Sequence, residues 1–214
     1  MDTSLTAKLS TLMRSDNYED WLQAWDLIRD HKPEGVTTFD EFDEMFDLDI
    51  NECSVNDMLY ELDAELSALE LDDLHLLAKR AEIARWVYIH FPDETELNLG
   101  NFRGHEAEAL WDLGQREQAE SRYQELIETL PNFAWGYMWW GDQYWMSNWS
   151  YEDAPDYDRA ESLYRRALDN PHLDNHVYVQ DRLNDLNDEK THPERREQIK
   201  QTRLKYLQDR ENLE

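Results

Sequence analysis

Asp47, Asp49 and Asn51 stand at alternate positions between two apolar stretches, the spacing with which a calcium-binding loop opens its ligand set. Such a loop needs glycine at its sixth position for a sharp turn and a bidentate glutamate at its twelfth. Those places hold Glu52 and Met58, so an Asx-rich turn between helices is the better account. His172 and His176 are spaced to share one helix face, but Pro171 sets His172 at or before the helix start. No third ligand follows by spacing, and a zinc site takes at least three protein ligands. His105-Glu106 lacks the second histidine of a zinc-protease motif. Cys53 is the single cysteine and has Glu52 and Asp57 nearby with no base beside it, which disfavours a thiolate. There is no phosphate-cradling P-loop and no dinucleotide glycine pattern. Carboxylate pairs are so abundant that they carry no diagnostic value for acid–base catalysis. These residues predict no catalytic group, no metal site and no cofactor, and hence a chain that is not an enzyme.

What remains is chemistry of surface and packing. The 214 residues carry 49 acids against 21 bases, a net charge of −28. From Pro33 to Ala78 there are fifteen acids and no Lys or Arg, whereas Pro193 to Glu214 holds six bases and five acids. So negative a surface repels DNA, RNA and anionic lipid, because it gathers counterions rather than releasing them. No apolar run reaches the ~18–20 residues needed to span a bilayer, and the start lacks the apolar core of a signal peptide. One thiol excludes an internal disulfide. A cytoplasmic protein is expected.

These side chains must be positioned by helices. Apolar residues recur at helical spacing nearly everywhere: Leu5, Leu9 and Leu12–Met13; Tyr18, Trp21, Leu22, Trp25 and Ile28; Phe39, Phe42 and Phe46; Leu59, Leu62, Leu66 and Leu69; then Leu74 to Ile89. Asp16 or Asn17, Thr37–Thr38 and Ser54 are candidate caps. Two further helices, Leu97–Gly114 and Arg116–Leu130, form a hairpin closed by Pro131-Asn132. Phe133–Trp145, Tyr157–Asp169, Asp174–Glu189 and Pro193–Arg210 follow, with an acidic irregular piece at Ser147–Asp156. Five of the six glycines lie between Gly100 and Gly141, so little interrupts helices elsewhere. The expected organisation is acidic helical hairpins over 1–92, repeats over 93–190 and a terminal capping helix over 191–214.

Within the repeats Ala119, Tyr123, Leu126 and Pro131 match Ala160, Tyr164, Ala167 and Pro171. The alanines and the tyrosines each recur at an offset of 41 residues and the prolines at 40. This pattern resembles the tetratricopeptide repeat of about 34 residues, lengthened between its helices. Trp140-Gly141 and Tyr144 stand where that family places its large–Gly pair and its tyrosine. In the preceding copy Glu106-Ala107 takes the place of that pair. The run Trp135-Gly-Tyr-Met-Trp-Trp-Gly-Asp142 is also similar to a group of bacterial repeat proteins of unassigned role. Some of those carry a cysteine-rich zinc tail, which this sequence lacks. The resemblance implies an all-α fold, antiparallel helical hairpins stacked as a right-handed solenoid.

It also implies a concave groove lined by the first helix of each repeat, where peptides lie. The second, fifth, ninth, twelfth and thirteenth repeat positions face that groove. They correspond to Asn101, Gly104, Glu108, Trp111 and Asp112, then Trp135, Met138, Asp142, Trp145 and Met146, then His176, Val179, Leu183, Leu186 and Asn187. The candidate partner-binding set is Glu108, Trp111, Asp112, Trp135, Met138, Asp142, Trp145 and Met146, aromatic and acidic and without Lys or Arg. Five of the nine tryptophans fall between Trp135 and Trp149. The ligand that fits is a protein or peptide segment with basic heads and apolar anchors, bound by a monomer or weak homodimer. The competing account of the rings is core packing between layers. Two other functions are open: an acidic decoy covering a basic, nucleic-acid-binding surface through the Pro33–Ala78 stretch, and an enzyme of unknown class.

Overall fold

The computed structural model of the chain describes residues 3–48, 54–69, 73–146, 154–192, 194, 196–198 and 201–202, and no strand occurs among them. The helices follow one another as α1 (Thr3–Met13), α2 (Tyr18–His31), α3 (Phe39–Met45), α4 (Val55–Leu69), α5 (Leu74–His90), α6 (Glu96–Asp112), α7 (Arg116–Thr129), α8 (Ala134–Asp142), α9 (Tyr157–Leu168) and α10 (His176–Thr191). The protein is all-α. No described helix is long and apolar enough to cross a membrane.

Local chemistry sets most helix starts. The Asn17 side chain accepts from the Glu19 N–H at 3.0 Å to open α2. Thr38 and Glu41 form a reciprocal capping box on α3. Ser54 accepts from the Asp57 N–H at 3.0 Å, Asp73 from that of His75 at 2.8 Å, Thr95 from that of Asn98 at 3.2 Å and Asp156 from that of Arg159 at 3.1 Å. Each satisfies a backbone donor that the first helical turn leaves without a partner. The left-handed turns at Gly35 and Gly114, with φ of +88° and +74°, close α2 and α6 where a side chain would be strained.

The chain forms two compact units, Met1–Arg122 and Tyr123–Glu214, with the divide inside α7. In the first, α1 packs on α2, α2 and α3 on α4, α4 on α5, and α5 extensively on α6. Pro92, a boundary suggested by sequence, sits in the short connection between two helices that pack on each other. Trp21, Ala24, Trp25 and Ile28 form the buried stripe of α2. Trp25 meets Trp86 edge-on at 4.8 Å, and Phe39 meets Phe91 at the same distance. Full burial of one such ring contributes roughly 1.5–3 kcal/mol, so these residues dominate the core. Met58, at the twelfth position of the calcium-loop imitation, is part of that core. Asp49, Asn51, Glu52 and Cys53 of that loop lie outside the described residues, as do 147–153 and most of the 191–214 segment.

In the second unit α8 packs on α9, and α10 covers both. The residues that recur at the 41-residue offset do the same work in each copy: Tyr123, Leu126, Tyr164 and Ala167 are fully buried, as are Ala119 and Ala160. A methyl on Gly136 would come within 3.1 Å of Leu126, and one on Gly141 would enter the Tyr164 ring, 2.7 Å from Cζ. Both glycines therefore mark close helix approach. Successive helices pack as antiparallel hairpins would, and within each unit the arrangement is that of stacked helical layers.

Candidate docking face

Within the second unit the starts of α8 and α10 are tied together by polar contacts. Asp174 Oδ1 accepts from the Ala134 N–H at 2.6 Å, and the Asp174 N–H donates to the Asn132 carbonyl at 2.9 Å. Asn170 Nδ2 donates to the Pro131 carbonyl and to Asn132 Oδ1, both at 2.9 Å. These bonds hold the first turn of α10 beside that of α8. Tyr178 is thereby set against Trp135 with ring centroids 5.7 Å apart, and Trp135 in turn stacks with Trp139 at 6.0 Å. The result is a strip of three aromatic rings from two helices. Trp135 and Trp139 are half-buried, Tyr178 is 51% exposed and the neighbouring Val177 67%. Asp181 and Asp185, three and seven residues after Tyr178, share its helix face and are exposed. Aromatic area for burial and carboxylates for cationic heads thus occur together.

The other residues suggested for this groove have different surroundings. Met138 and Trp145 are each 3% exposed and belong to the core of the unit. Trp145 Nε1 donates to the Tyr164 hydroxyl at 2.7 Å, and that hydroxyl donates to Asp142 Oδ1 at 2.5 Å. Asp142 also pairs with Arg182 Nε at 3.2 Å. Burial, with the Asp142 charge beside it, pushes the Tyr164 phenol far up, so it stays a donor. Tyr123, its counterpart one repeat earlier, accepts from Gln143 Nε2 at 3.1 Å and stacks on Trp140 at 6.0 Å. The recurring tyrosine is thus a buried hydrogen-bonding wedge at the end of α8. Met146 is exposed. Val179, Leu183 and Leu186 are the buried stripe of α10, while His176 and Asn187 face solvent.

In the first unit Glu108 Oε2 accepts from Arg80 at 2.7 Å, and the same guanidinium grips Asp63 with contacts of 2.8 and 3.1 Å. His105 Nδ1 lies 3.1 Å from Asp63 Oδ2. Burial raises the Asp63 carboxyl, but Arg80 and His105 outweigh it and hold the group far below its ordinary value. Asn101 Nδ2 donates to the Tyr60 hydroxyl at 2.6 Å, and Gly104 is buried in α6. Trp111 is buried beneath the Arg116 guanidinium, 4.0 Å from its ring, and Asp112 ends α6 half-buried. Glu106, which replaces the large residue of the repeat, is buried and satisfied by Tyr88 at 2.5 Å, Arg85 at 3.2 Å and Arg122 at 3.1 Å.

Two expectations therefore need correction. The acids Asp142 and Glu108 do not stand in a region without Lys or Arg, because Arg182 and Arg80 reach them from helices distant in sequence. Trp111, Met138 and Trp145 are packed inside the fold and present no open surface. Trp135 has two ring partners outside the suggested set, Trp139 and Tyr178. Trp139 is legible in principle, since a residue four further along a helix shares its face. Tyr178 has no sequence signal, because it meets Trp135 only through the packing of α10 on α8. Among the described residues no group of three His, Cys, Asp or Glu is arranged to hold a metal ion. No protein-family model matches the chain, and no curated protein or solved structure matches it either.

Proposed function

We propose that this protein is a non-catalytic binding module of tetratricopeptide-like repeats whose ligand is a protein segment carrying apolar anchors and Lys or Arg heads. The observation that carries this reading is the partly exposed strip of Trp135, Trp139 and Tyr178 with Asp181 and Asp185 on the face of α10 that bears Tyr178. Aromatic rings already ordered by their neighbours bury area at little entropic cost, and the net charge of −28 attracts cationic segments at long range. The paired alanines and tyrosines support the right-handed repeat geometry that the sequence resembles.

The test is a titration of tryptophan fluorescence with a short synthetic peptide of alternating Leu and Lys, beside one with Glu in place of Lys. The Lys peptide binds and the Glu peptide does not. Trp135→Ala and Tyr178→Ala each weaken binding about 30-fold, equivalent to the ~2 kcal/mol lost at an interface hot spot. Equal binding of both peptides, or indifference to both substitutions, overturns the proposal.

One observation favours a second reading, an acidic cover for a basic protein surface. Asp40, Glu41, Glu44, Asp57, Glu61 and Glu65 on α3 and α4 are all exposed, while Asp43 and Asp63 turn inward. Binding through that face would tolerate loss of Trp135 and fall steeply with salt.

A further inference from the structure

In the first unit a cleft of about 400 Å³ opens between the end of α2, the loop that follows it and the end of α5. That volume falls within the range of small-molecule sites. Trp86 and Ile89 give it an apolar wall, with Trp86 half-buried and Ile89 48% exposed. The Trp86 ring is already held in place, with Trp25 edge-on at 4.8 Å and His90 stacked on it at 4.2 Å. Covering an ordered ring costs little entropy. The charge around the cleft inverts that of the chain. Acids outnumber bases 49 to 21 overall, yet the described lining holds Arg29, Lys32 and His90 with Glu34 as its one acid.

Lys32 is the cation that lacks a counter-charge. Its ammonium donates to the Val36 carbonyl and, at 3.4 Å, to the Pro33 carbonyl, which leaves one of its three donors. A cation at a helix C-terminus favours the helix dipole, yet this ammonium bonds carbonyls of the loop and none of α2. Burial lowers it below its ordinary value against the pull of Glu41, so the charge is under-compensated as it stands. The Glu41 carboxylate is itself occupied by the Thr37 N–H at 2.7 Å and the Thr37 hydroxyl at 3.1 Å. His90 Nδ1 donates to the Trp86 carbonyl at 2.8 Å, which leaves Nε2 for a ligand. Arg29 differs, because Asp26 at 2.9 Å, Asp30 at 3.1 Å and Glu82 at 3.8 Å already answer its charge. Those carboxylates repel a doubly charged anion. A single negative charge is what Lys32 lacks.

We propose that this cleft binds a small monocarboxylic acid with an apolar body, which lies on Trp86 and Ile89 while its carboxylate meets Lys32. The site uses residues of the first unit only and does not depend on the docking strip. The carboxylate takes the remaining Lys32 donor as a charge-assisted hydrogen bond, and the body buries exposed apolar area. Both parts are needed. An apolar molecule alone leaves Lys32 unanswered, and an anion alone leaves the wall exposed.

The test titrates the isotope-labelled full chain with naphthoate and follows the Trp86 indole N–H by NMR, the signal being assigned from Trp86→Phe. Naphthamide, of similar shape without the charge, and acetate, the charge without the rings, serve as comparisons. Naphthoate is expected to shift that signal and to bind about tenfold or more tightly than either, the worth of one hydrogen bond to a charged group. Lys32→Gln keeps a donor for the Val36 carbonyl but removes the charge. It is expected to weaken naphthoate about tenfold and to leave naphthamide unchanged. Ile89→Asp, at an exposed position, is expected to abolish binding, and it decides the matter if Lys32→Gln does not fold. No response to naphthoate overturns the proposal, as does equal affinity for naphthoate and naphthamide. Unchanged naphthoate binding in both variants overturns it too. Displacement of naphthoate by an equal concentration of inorganic phosphate overturns the monocarboxylate class. A response at the Trp135 indole in place of Trp86 moves the ligand to the docking strip and overturns the site.

Discussion

Gly141→Ala sets two physical effects of opposite sign against each other. Gly141 lies in the last turn of α8, where replacing glycine by alanine favours a helix by roughly 1 kcal/mol. The added methyl, however, would stand 2.7 Å from Tyr164 Cζ and 3.0 Å from its oxygen, and closer still to Cε1. The Tyr164 ring is fully buried and its hydroxyl is held by Asp142 and Trp145, so it has no room to swing away. Overpacking of this kind costs about 1–3 kcal/mol. Displacing the hydroxyl forfeits two buried hydrogen bonds at about 1 kcal/mol each. The net expectation is a loss of about 2–4 kcal/mol, and with a slope of roughly 1–3 kcal/mol per molar urea the midpoint falls by about 1 M or more. Tryptophan fluorescence during urea unfolding reads the change, because Trp145 is hydrogen-bonded to Tyr164 and Trp140 adjoins Gly141 in α8. Gly136→Ala is the milder comparison: its methyl would stand 3.1–3.2 Å from Leu126 Cδ2, Leu126 Cγ and Ile127 Cγ2, a few tenths of an ångström too close, and helix propensity offsets part of that strain. An unchanged or raised midpoint for Gly141→Ala would refute the packing account of the recurring Gly–Tyr pair.

Asp43 is 1% exposed, and burial raises its carboxyl from 3.8 to about 6, with the Val55 N–H opposing and Asp40, Asp57 and Glu94 assisting. Because the folded state holds this proton more tightly, stability falls as pH rises from about 4 to about 6, and the cost, on the order of 3 kcal/mol, is fully present above that. Asp43→Asn keeps an acceptor for the Val55 N–H and should flatten this part of the pH profile in urea unfolding; an unaltered slope argues against it. Arg80→Met leaves the Asp63 carboxylate buried without its main partner and should destabilise by about 3–5 kcal/mol. Arg80→Met/Asp63→Leu should recover much of the loss in thermal melts. In the unaltered chain the depressed Asp63 contributes stability above its unfolded value of 3.8, and that contribution fades as pH falls through the folded value.

Helix existence was legible because apolar periodicity and capping are local. Asn17, Thr38 and Ser54 are read directly from their positions before apolar stripes, and each caps as expected. The acidic composition was equally plain. The division of α8 between core and surface was not, because its face carries large apolar residues at nearly every position, Ala134 to Trp140. Periodicity distinguishes faces only when polar residues mark one of them. Trp135 and Met138 occupy equivalent-looking places, yet one is half-open and the other enclosed.

The sequence by itself determined an all-α architecture, the boundaries of the described helices to within a few residues, the recurring Ala–Tyr pair and the excess of negative charge. Each follows from interactions between residues near in the chain or from simple sums over it. Tertiary structure alone decided that Arg182 reaches Asp142, that Arg80 joins Asp63 to Glu108, and that Tyr178 extends the ring strip begun by Trp135. Those pairings join different helices, and only the packing of α4 on α5, α5 on α6 and α10 on α8 brings the partners together.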